Sequence, residues 1–362
     1  MVDLRLIEYR VVAVTQQGEQ LDITPATTDL GWEEGEKEYA ARISLKLHDS
    51  EYNGQRLSQL VQPMTPIIVY AIANGESREV IRGAVTDWIP TDSNSTLSLD
   101  LTAYDEMKAL RENRDDEYIP DGMTTKRIFA NILSKWGVPY DYKGSEITHH
   151  KMAFKKKPIS DMLKSVLKDV KDKGGGVYFM RAREGKIEVI PRGSNEETYH
   201  FDAYTNMMQT RDSFSTSGIV TRVKVVGKTK DEGIPPVEEI VDGHTEYGIR
   251  QTIIERPKDK SLDEVRNTAN QILKEKGQLK RKTTLSCADV PYIRKGDRIR
   301  VESGTLQGYW FITAIRHNAQ DETMNLSIVE DKEKNAEAAK KNGTEAVEYD
   351  TGDEDEEGGE GV

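Results

Sequence analysis

The residue types that most often carry catalysis or bind metals are sparse in this chain and lack the spacing that either role needs. Its six histidines show neither an HExxH pattern nor a Cys/His spacing that would hold zinc tetrahedrally. They occupy positions 48, 149, 150, 200, 244 and 317. Since neighbouring side chains of an extended segment point to opposite sides, we expect His149 and His150 to be exposed and not to bind a metal. His317 ends a predicted strand and is expected to be structural.

Glycine and carboxylate motifs also favour structural interpretations. The three glycines at 174–176 follow a predicted helix, whereas a phosphate-binding loop leads into the N-terminus of one. Asp115 and Asp116, or Asp169 and Asp172, would pair as acid and base only in an apolar pocket that separated their pKa values. Nothing in the sequence indicates such a pocket, and we interpret these pairs as solvated.

A basic cluster and a single cysteine are the remaining candidates for a binding or catalytic site. Lys151, Lys155, Lys156 and Lys157 lie beside Phe154. This favours a solvated loop, or a salt-bridging surface toward an acidic partner, over phosphate binding. Cys287 lies in a predicted strand, where a buried and inert thiol is the usual state. We therefore predict no catalytic residue, no cofactor-binding residue and no metal ligand, and hence that the chain is not an enzyme.

Length and charge narrow the classes of protein further. The 362 residues suit two or three domains, and the net charge of −12 is concentrated beyond residue 330, where twelve acidic residues face four lysines. The remainder is nearly neutral at −4, which argues against a sequence-specific nucleic-acid binder. Charged residues interrupt the N-terminus, and no apolar run approaches the roughly 18 residues needed to cross a bilayer. We expect no signal peptide, no membrane partner and synthesis in the cytoplasm.

The N-terminal third reads as a first β domain, over residues 1–112. Period-two alternation predicts strands over 4–14, 39–47 and 67–73, and a return strand over 79–88. Asn74-Gly75 predicts a hairpin turn, because both of its central positions need a positive φ. These strands are typical of an antiparallel β barrel or sandwich, and we predict a first tube-like β barrel over this segment.

The period then changes to that of helices, which marks an α+β insert over residues 113–196. Apolar residues three and four apart predict one helix over 124–136 and a second that begins at Pro158. Gly137 is expected to end the first helix, and the glycines at 174–176 the second. Two strands around Glu184-Gly185 predict a hairpin that packs on these helices.

Residues 197–330 read as a second β barrel that includes one helix. Ser261 and Glu264 form a predicted capping box at the start of that helix, and three alternating strands close the segment. The strand over 219–226 could belong to either barrel. Residues 331–362 are acidic and glycine-rich, and we expect a flexible tail. The fold class is thus mainly β, with two tube-like antiparallel barrels and a helical middle region.

Three segments carry a resemblance to a known family. They read TAYDEMKALRENRDDEYIPDGMTTKRIFANIL (102–133), DVKDKGGGVYFMRAREGKIEVIPRGSN (169–195) and RKGDRIRVESGTLQGYWFITAIRHN (294–318). The chain resembles the baseplate hub proteins of contractile phage tails and tail-like bacteriocins, the late control protein D group, and especially hubs of the defective-prophage type. The resemblance carries no active-site residue onto this chain.

The resemblance implies a structural role in a particle. Hubs of this family are homotrimers whose two barrels per chain adapt a hexameric tail tube to a central spike, among other baseplate proteins, and line the channel. It implies synthesis in a bacterial cytoplasm, assembly into a tail or tail-like particle, and release by lysis. The kind of particle, the spike and the interface residues stay open. The alternative is a non-catalytic β-domain module that binds cell-wall carbohydrate or peptide.

Overall fold

The protein is mostly β, as its alternation of apolar and polar residues predicts. The structure, a computed structural model, describes residues 7–93, 96–228, 233–257, 260–304 and 306–342. About 50% of residues lie in strands and 20% in helices, which confirms a mainly β fold class with a helical contribution. The chain divides into a large unit and a small unit. The large unit is Met1–Thr210 with Thr284–Lys334, and the small unit is Arg211–Thr283 with Asn335–Val362.

The N-terminal part of the large unit consists of nine strands, two helices and a short 3-10 helix. In chain order the strands and helices are β1 (Glu8–Val14), β2 (Gln20–Asp22), β3 (Thr27–Glu34), β4 (Arg42–His48), β5 (Glu51–Tyr52), β6 (Gln55–Arg56), α1 (Leu57–Leu60), β7 (Pro66–Ala73), β8 (Glu76–Ser93), β9 (Thr96–Tyr104) and α2 (Met107–Glu112). Seven of the strands follow one another antiparallel across a sheet in the order β3-β4-β9-β8-β7-β1-β2.

Local sequence explains these strands. In β4 the apolar residues Ile43, Leu45 and Leu47 are buried while the polar residues between them are not, so period-two alternation places one face on the core. The predicted hairpin joins β7 to β8, and both Asn74 and Gly75 adopt positive φ, at 54° and 81°.

The helical insert follows directly. Its elements are β10 (Arg114–Ile119), β11 (Met123–Thr124), α3 (Thr125–Lys135), β12 (Tyr140–Tyr142), β13 (Thr148–His149), β14 (Met152–Pro158), α4 (Ile159–Asp172), β15 (Tyr178–Arg183) and β16 (Lys186–Pro191). The apolar stripes of α3 and α4 share one hydrophobic cluster with the three-stranded sheet β12-β16-β15. Gly137 and Gly174 follow the two helices with φ of 63° and 76°, as predicted for glycines that end a helix.

The remaining elements complete both units. They are β17 (Tyr199–Asp202), β18 (Met207–Ser215), β19 (Arg222–Val226), β20 (Val237–Asp242), β21 (Gln251–Glu255), α5 (Leu262–Lys276), β22 (Lys280–Ala288), β23 (Arg298–Ser303), β24 (Leu306–Asn318), β25 (Thr323–Glu330) and α6 (Lys332–Asn342). A short 3-10 helix spans Thr245–Tyr247. In the large unit β24 lies between β23 and β25, and β17 pairs with β23 in parallel.

Strands from both ends of the chain join one sheet, because β3 also pairs with β24, from Gly31↔Asn318 to Glu34↔Ile315. No closed barrel is found among the described strands. Two separate hydrophobic cores nevertheless exist, one formed by residues 11–103 and one by residues 201–328 of the large unit. Alternation predicts each strand and its buried face, but the partner of an edge strand depends on residues hundreds of positions away.

The small unit has its own sheet and core. Central β19 pairs antiparallel with β20 and parallel with β21, and α5 packs on this sheet through Val265, Ala269 and Leu273. The predicted capping box at the start of α5 is present. The strand over 219–226, which the sequence left open to either barrel, forms the centre of this third sheet.

The segment predicted to be a flexible acidic tail begins with helix α6. Asp331 accepts a hydrogen bond from the backbone N–H of Lys334 at 3.0 Å, and the alanines and lysines that follow favour helix. The rest of the predicted tail, 343–362, lies outside the described residues. None of the helices that the structure describes has the length and apolar character to cross a bilayer.

Candidate functional site

The histidine pair shows that one of two adjacent side chains faces inward. His150 is exposed, as predicted, and lies 3.1 Å from Asp121. The prediction of exposure is wrong for His149, which is buried. Its Nδ1 lies 2.7 Å from Asp169 Oδ2 and its Nε2 lies 2.8 Å from Thr125 Oγ1. Both ring nitrogens thus have partners within the insert, which ties β13 to α3 and α4.

The electrostatics of this pair are those of a structural contact. Burial lowers the pKa of His149, against the opposing effect of Asp169. Burial alone would raise the pKa of Asp169, but hydrogen bonds from Lys173 and His149 hold it below its usual value. His149 is therefore neutral at pH 7, and the described part of the chain contains no group of three or more potential metal ligands.

The lysines next to Phe154 do not form a joint anion site. Lys157 donates a hydrogen bond to Ser165 Oγ at 2.9 Å, and its ammonium lies 5.2 Å from the centre of the Phe154 ring. The other three lysines of the cluster are exposed. Their exposure fits a solvated surface, but the predicted loop is wrong for residues 155–157, which belong to strand β14. Cys287 is buried as predicted, and burial raises the pKa of its thiol to about 12, which leaves it unreactive.

The aromatic residues near the C-terminus divide between core and surface. Trp310 and Ile312 are buried in the second core, whereas Tyr309 and Phe311 are partly exposed on the other face of β24. Trp32 is also buried. Because side chains alternate along β24, its two faces lie in different environments, one in the core and one partly in solvent.

The most unusual chemistry of the large unit is a buried ion cluster centred on Arg294. Its Nε donates to Glu34 Oε1 at 2.5 Å, and its Nη2 donates to Glu34 Oε2 at 3.1 Å and to the carbonyl of Ala182 at 3.2 Å. Both charged side chains are more than nine-tenths buried. Glu34 ends β3, Ala182 belongs to β15 of the insert, and Arg294 precedes β23, so one guanidinium joins three segments of the chain.

A second ion pair extends the cluster. Arg181 Nη1 donates to Asp297 Oδ1 at 2.9 Å, and the other oxygen of Asp297 accepts the backbone N–H of Arg294 at 2.9 Å. Gly296 between them has a φ of 91°. The turn before β23 thus presents Arg294 to one segment and Asp297 to the other, and a glycine makes the turn possible.

Charge balance in the cluster depends on Asp105. Burial raises its pKa to about 8, with a lesser contribution from the Glu34 and Glu106 carboxylates, so it is protonated at neutral pH. Burial would likewise raise the pKa of Glu34, but the guanidinium of Arg294 holds it below its usual value. Of the two carboxyl groups near Arg294, Glu34 is therefore ionised and pairs with the guanidinium, whereas Asp105 is neutral.

A polar network also supports the pairing of β3 with β24. Asp289 accepts hydrogen bonds from the Tyr9 hydroxyl at 2.5 Å and from His317 Nδ1 at 2.6 Å. The His317 ring stacks on Trp32, with centroids 4.5 Å apart and an angle of 17° between the planes. A Cβ at Gly31 would lie 2.9 Å from the His317 carbonyl oxygen, so the close approach of the two strands needs glycine.

Neither network resembles an active site. In both networks the charged groups pair with one another, although Arg181 Nε and His317 Nε2 have no hydrogen-bond partner among the described residues. The cleft beside Arg294 and Asp105 measures about 40 Å³, room for only a few water molecules. Sequence reasoning placed His317 correctly as structural but missed Glu34, Arg294 and Asp105. The one local signal is Arg294-Lys295-Gly296-Asp297, a charged turn directly before a strand. The two networks fix segments that are distant in sequence in one arrangement.

Solved structures with a similar fold are phage tail proteins, which confirms at the level of the fold the resemblance seen in the sequence. The prophage MuSo2 43 kDa tail protein from Shewanella oneidensis has a TM-score of 0.64 at 14% identity, over 89% of this chain and 98% of that one. The tail protein from Neisseria meningitidis MC58 has a TM-score of 0.62 at 12% identity, over 89% and 97%.

A third similar structure comes from a secretion system. The E. coli c3393 protein, a component of the type VI secretion system with structural similarity to the T4 tail proteins gp27 and gp5, has a TM-score of 0.52 at 12% identity. The match covers 85% of this chain and 74% of that one. No curated protein sequence matches at a significant level. A model of the YQBQ-like family matches residues 32–329, most of the length. The chain therefore belongs to the YQBQ-like family.

Proposed function

We propose that this chain is a structural, non-enzymatic baseplate hub of a contractile tail or tail-like injection particle. Three copies form a closed ring that joins the hexameric tail tube to the central spike, contacts other baseplate proteins and lines the channel. The observation that carries the proposal is the likeness in fold to prophage tail proteins over 89% of the chain. The particle is assembled in a bacterial cytoplasm and released by lysis.

The two separate hydrophobic cores in the β parts of the large unit support the adaptor role. Residues 1–112 and 197–330 act as two tube-like modules, with the insert over 113–196 between them and the acidic segment 331–362 after them. Three chains then offer six similar modules to a six-fold tube while keeping three-fold symmetry toward the spike. The first core and the second core are separate clusters of buried residues, as two such modules require.

The buried networks support a role as a structural frame and not as a catalyst. Arg294 and Asp289 connect elements that lie up to 280 residues apart in sequence. We infer that these buried contacts favour one arrangement of the segments they join, as a hub that connects tube and spike requires.

Molar mass by light scattering tests the ring. One chain has a mass of 40.9 kDa, so the trimer has a mass of about 120 kDa, and a monomer at micromolar concentration would contradict the proposal. Purified tube and spike proteins should each bind the trimer in a pull-down. Binding to isolated cell-wall polymers without affinity for tube or spike would support the alternative binding module, and lysis in a cell-wall zymogram would refute a non-enzymatic role.

A further inference from the structure

The small unit exposes more apolar surface than its size explains. Among the residues that the structure describes, fifteen large apolar side chains are exposed, and seven of them lie within Arg211–Thr283, about a fifth of the chain. They are Phe214, Ile234, Val237, Ile240, Tyr247, Ile249 and Ile253. Exposed apolar side chains that lie side by side mark a contact site, so the relevant ones are those that share one face of the sheet.

Two of these residues lie in one row across the open face of the sheet. Helix α5 covers the face that carries Val223 and Val225, so the alternate residues of β19 face away from it. Lys224 is opposite Ile240 on β20 and opposite Ile253 on β21. The two isoleucines are 49% and 57% exposed, and nothing in the described part of the chain covers the row.

The charge in this row selects the kind of partner. Lys224 forms no ion pair with any residue that the structure describes, whereas the adjacent Arg222 is paired with Asp242. A two-fold contact centred on this row would place Lys224 opposite another Lys224, which like-charge repulsion disfavours. The row fits a different surface, one that offers apolar contact beside a carboxylate.

The first module carries a surface of that kind. On β8, Asp87 and Ile89 are exposed on the same face, and Ile89 is opposite Asp100 on β9. Asp100 already has Lys46 at 3.6 Å, while Asp87 accepts only from Thr86 among the described residues. An isoleucine beside an unpaired carboxylate complements a lysine between two isoleucines in both apolar area and charge.

We propose that the row Ile240-Lys224-Ile253 of one copy docks on the Asp87–Ile89 surface of the next copy. Two different surfaces of one chain that bind each other form a heterologous contact, which closes into a ring when the rotation between copies is 120°. The inference rests on the proposed trimer and identifies the surfaces that hold it together.

Substitution of the row tests the contact. Ile253→Glu and Lys224→Glu should each raise the concentration at which half the chains are trimeric by at least about tenfold, measured by light scattering over a dilution series. Tyr118→Glu is the matched control, since Tyr118 is 64% exposed, close to the 57% of Ile253, but lies in the insert. Its trimer should be unchanged, and circular dichroism should show the same fold for all variants.

A charge exchange separates the contact from general damage. Asp87→Lys should weaken the trimer as Lys224→Glu does, and the double variant should regain at least half of the lost stability, because each chain supplies both surfaces. If the unsubstituted chain is trimeric and both Ile253→Glu and Lys224→Glu stay trimeric, the docking inference is refuted while the hub proposal stands. If the unsubstituted chain is monomeric, the proposed trimer itself fails.

Discussion

The large and small units use the same ionic chemistry at very different burial. In the large unit Arg294 and Glu34 are almost completely buried. In the small unit the bidentate pairs Arg222–Asp242 and Arg256–Glu238 lie at the surface. A surface pair is screened by water and contributes little, while a buried pair is costly to break because the remaining charge has no solvent. Burial, and not the presence of an ion pair, decides which joints hold the frame.

The largest effect should follow from removal of one buried partner. Glu34→Ala leaves the guanidinium of Arg294 without its counter-charge, so we expect a loss of about 3–5 kcal/mol in the free energy of unfolding. Urea unfolding at pH 7 measures this. A loss below about 1 kcal/mol would mean that water reaches Arg294 and that the pair is not a dry joint.

The second prediction concerns Asp105, whose substitution should raise the free energy of unfolding instead of lowering it. Its pKa is about 8 when folded and near 3.8 when unfolded, so the protonated group contributes stability that is complete below about pH 4 and is lost as the pH rises toward 8. Asp105→Asn keeps a neutral group and should raise stability at pH 7 by roughly 2–4 kcal/mol.

The pH profile provides the control for this variant. Between pH 5 and 8 the unsubstituted chain should lose stability more steeply than Asp105→Asn, by up to about 1.4 kcal/mol per pH unit. Parallel profiles of the two proteins would show that Asp105 titrates normally. Both proteins should keep Glu106, because its carboxylate also raises the pKa of Asp105.

A smaller loss should come from the network that supports the strand pairing. Tyr9→Phe removes one donor to Asp289 but leaves His317 in place, so we expect a loss of about 1–2 kcal/mol in the free energy of unfolding. Thermal unfolding of the two proteins at the same pH measures it. An unchanged melting temperature would indicate that Asp289 needs only His317.

The smallest effect belongs to the surface pair. Asp242→Ala removes the partner of Arg222 on the small unit, and we expect no measurable change in stability. Urea unfolding at low and at physiological salt is the check. A clear loss at both salt concentrations would overturn the distinction between buried and surface pairs drawn above.

Local features were predictable because their causes are local. The turn at Asn74-Gly75, the glycines after α3 and α4, and the capping box of α5 each depend on a few neighbouring residues. The burial of His149 was not predictable, because either His149 or His150 could face inward. Its position follows from Asp169, twenty residues away on α4.

The sequence by itself determined the mainly β class, the helical insert and the buried faces of the strands, since period and turn chemistry act within a few residues. Only the tertiary structure decided that β3 pairs with β24, that the strand over 219–226 belongs to a third sheet, and that Glu34 meets Arg294. These contacts join residues as much as 287 positions apart, as in Asn318↔Gly31, and no local pattern encodes which edges or charges will meet.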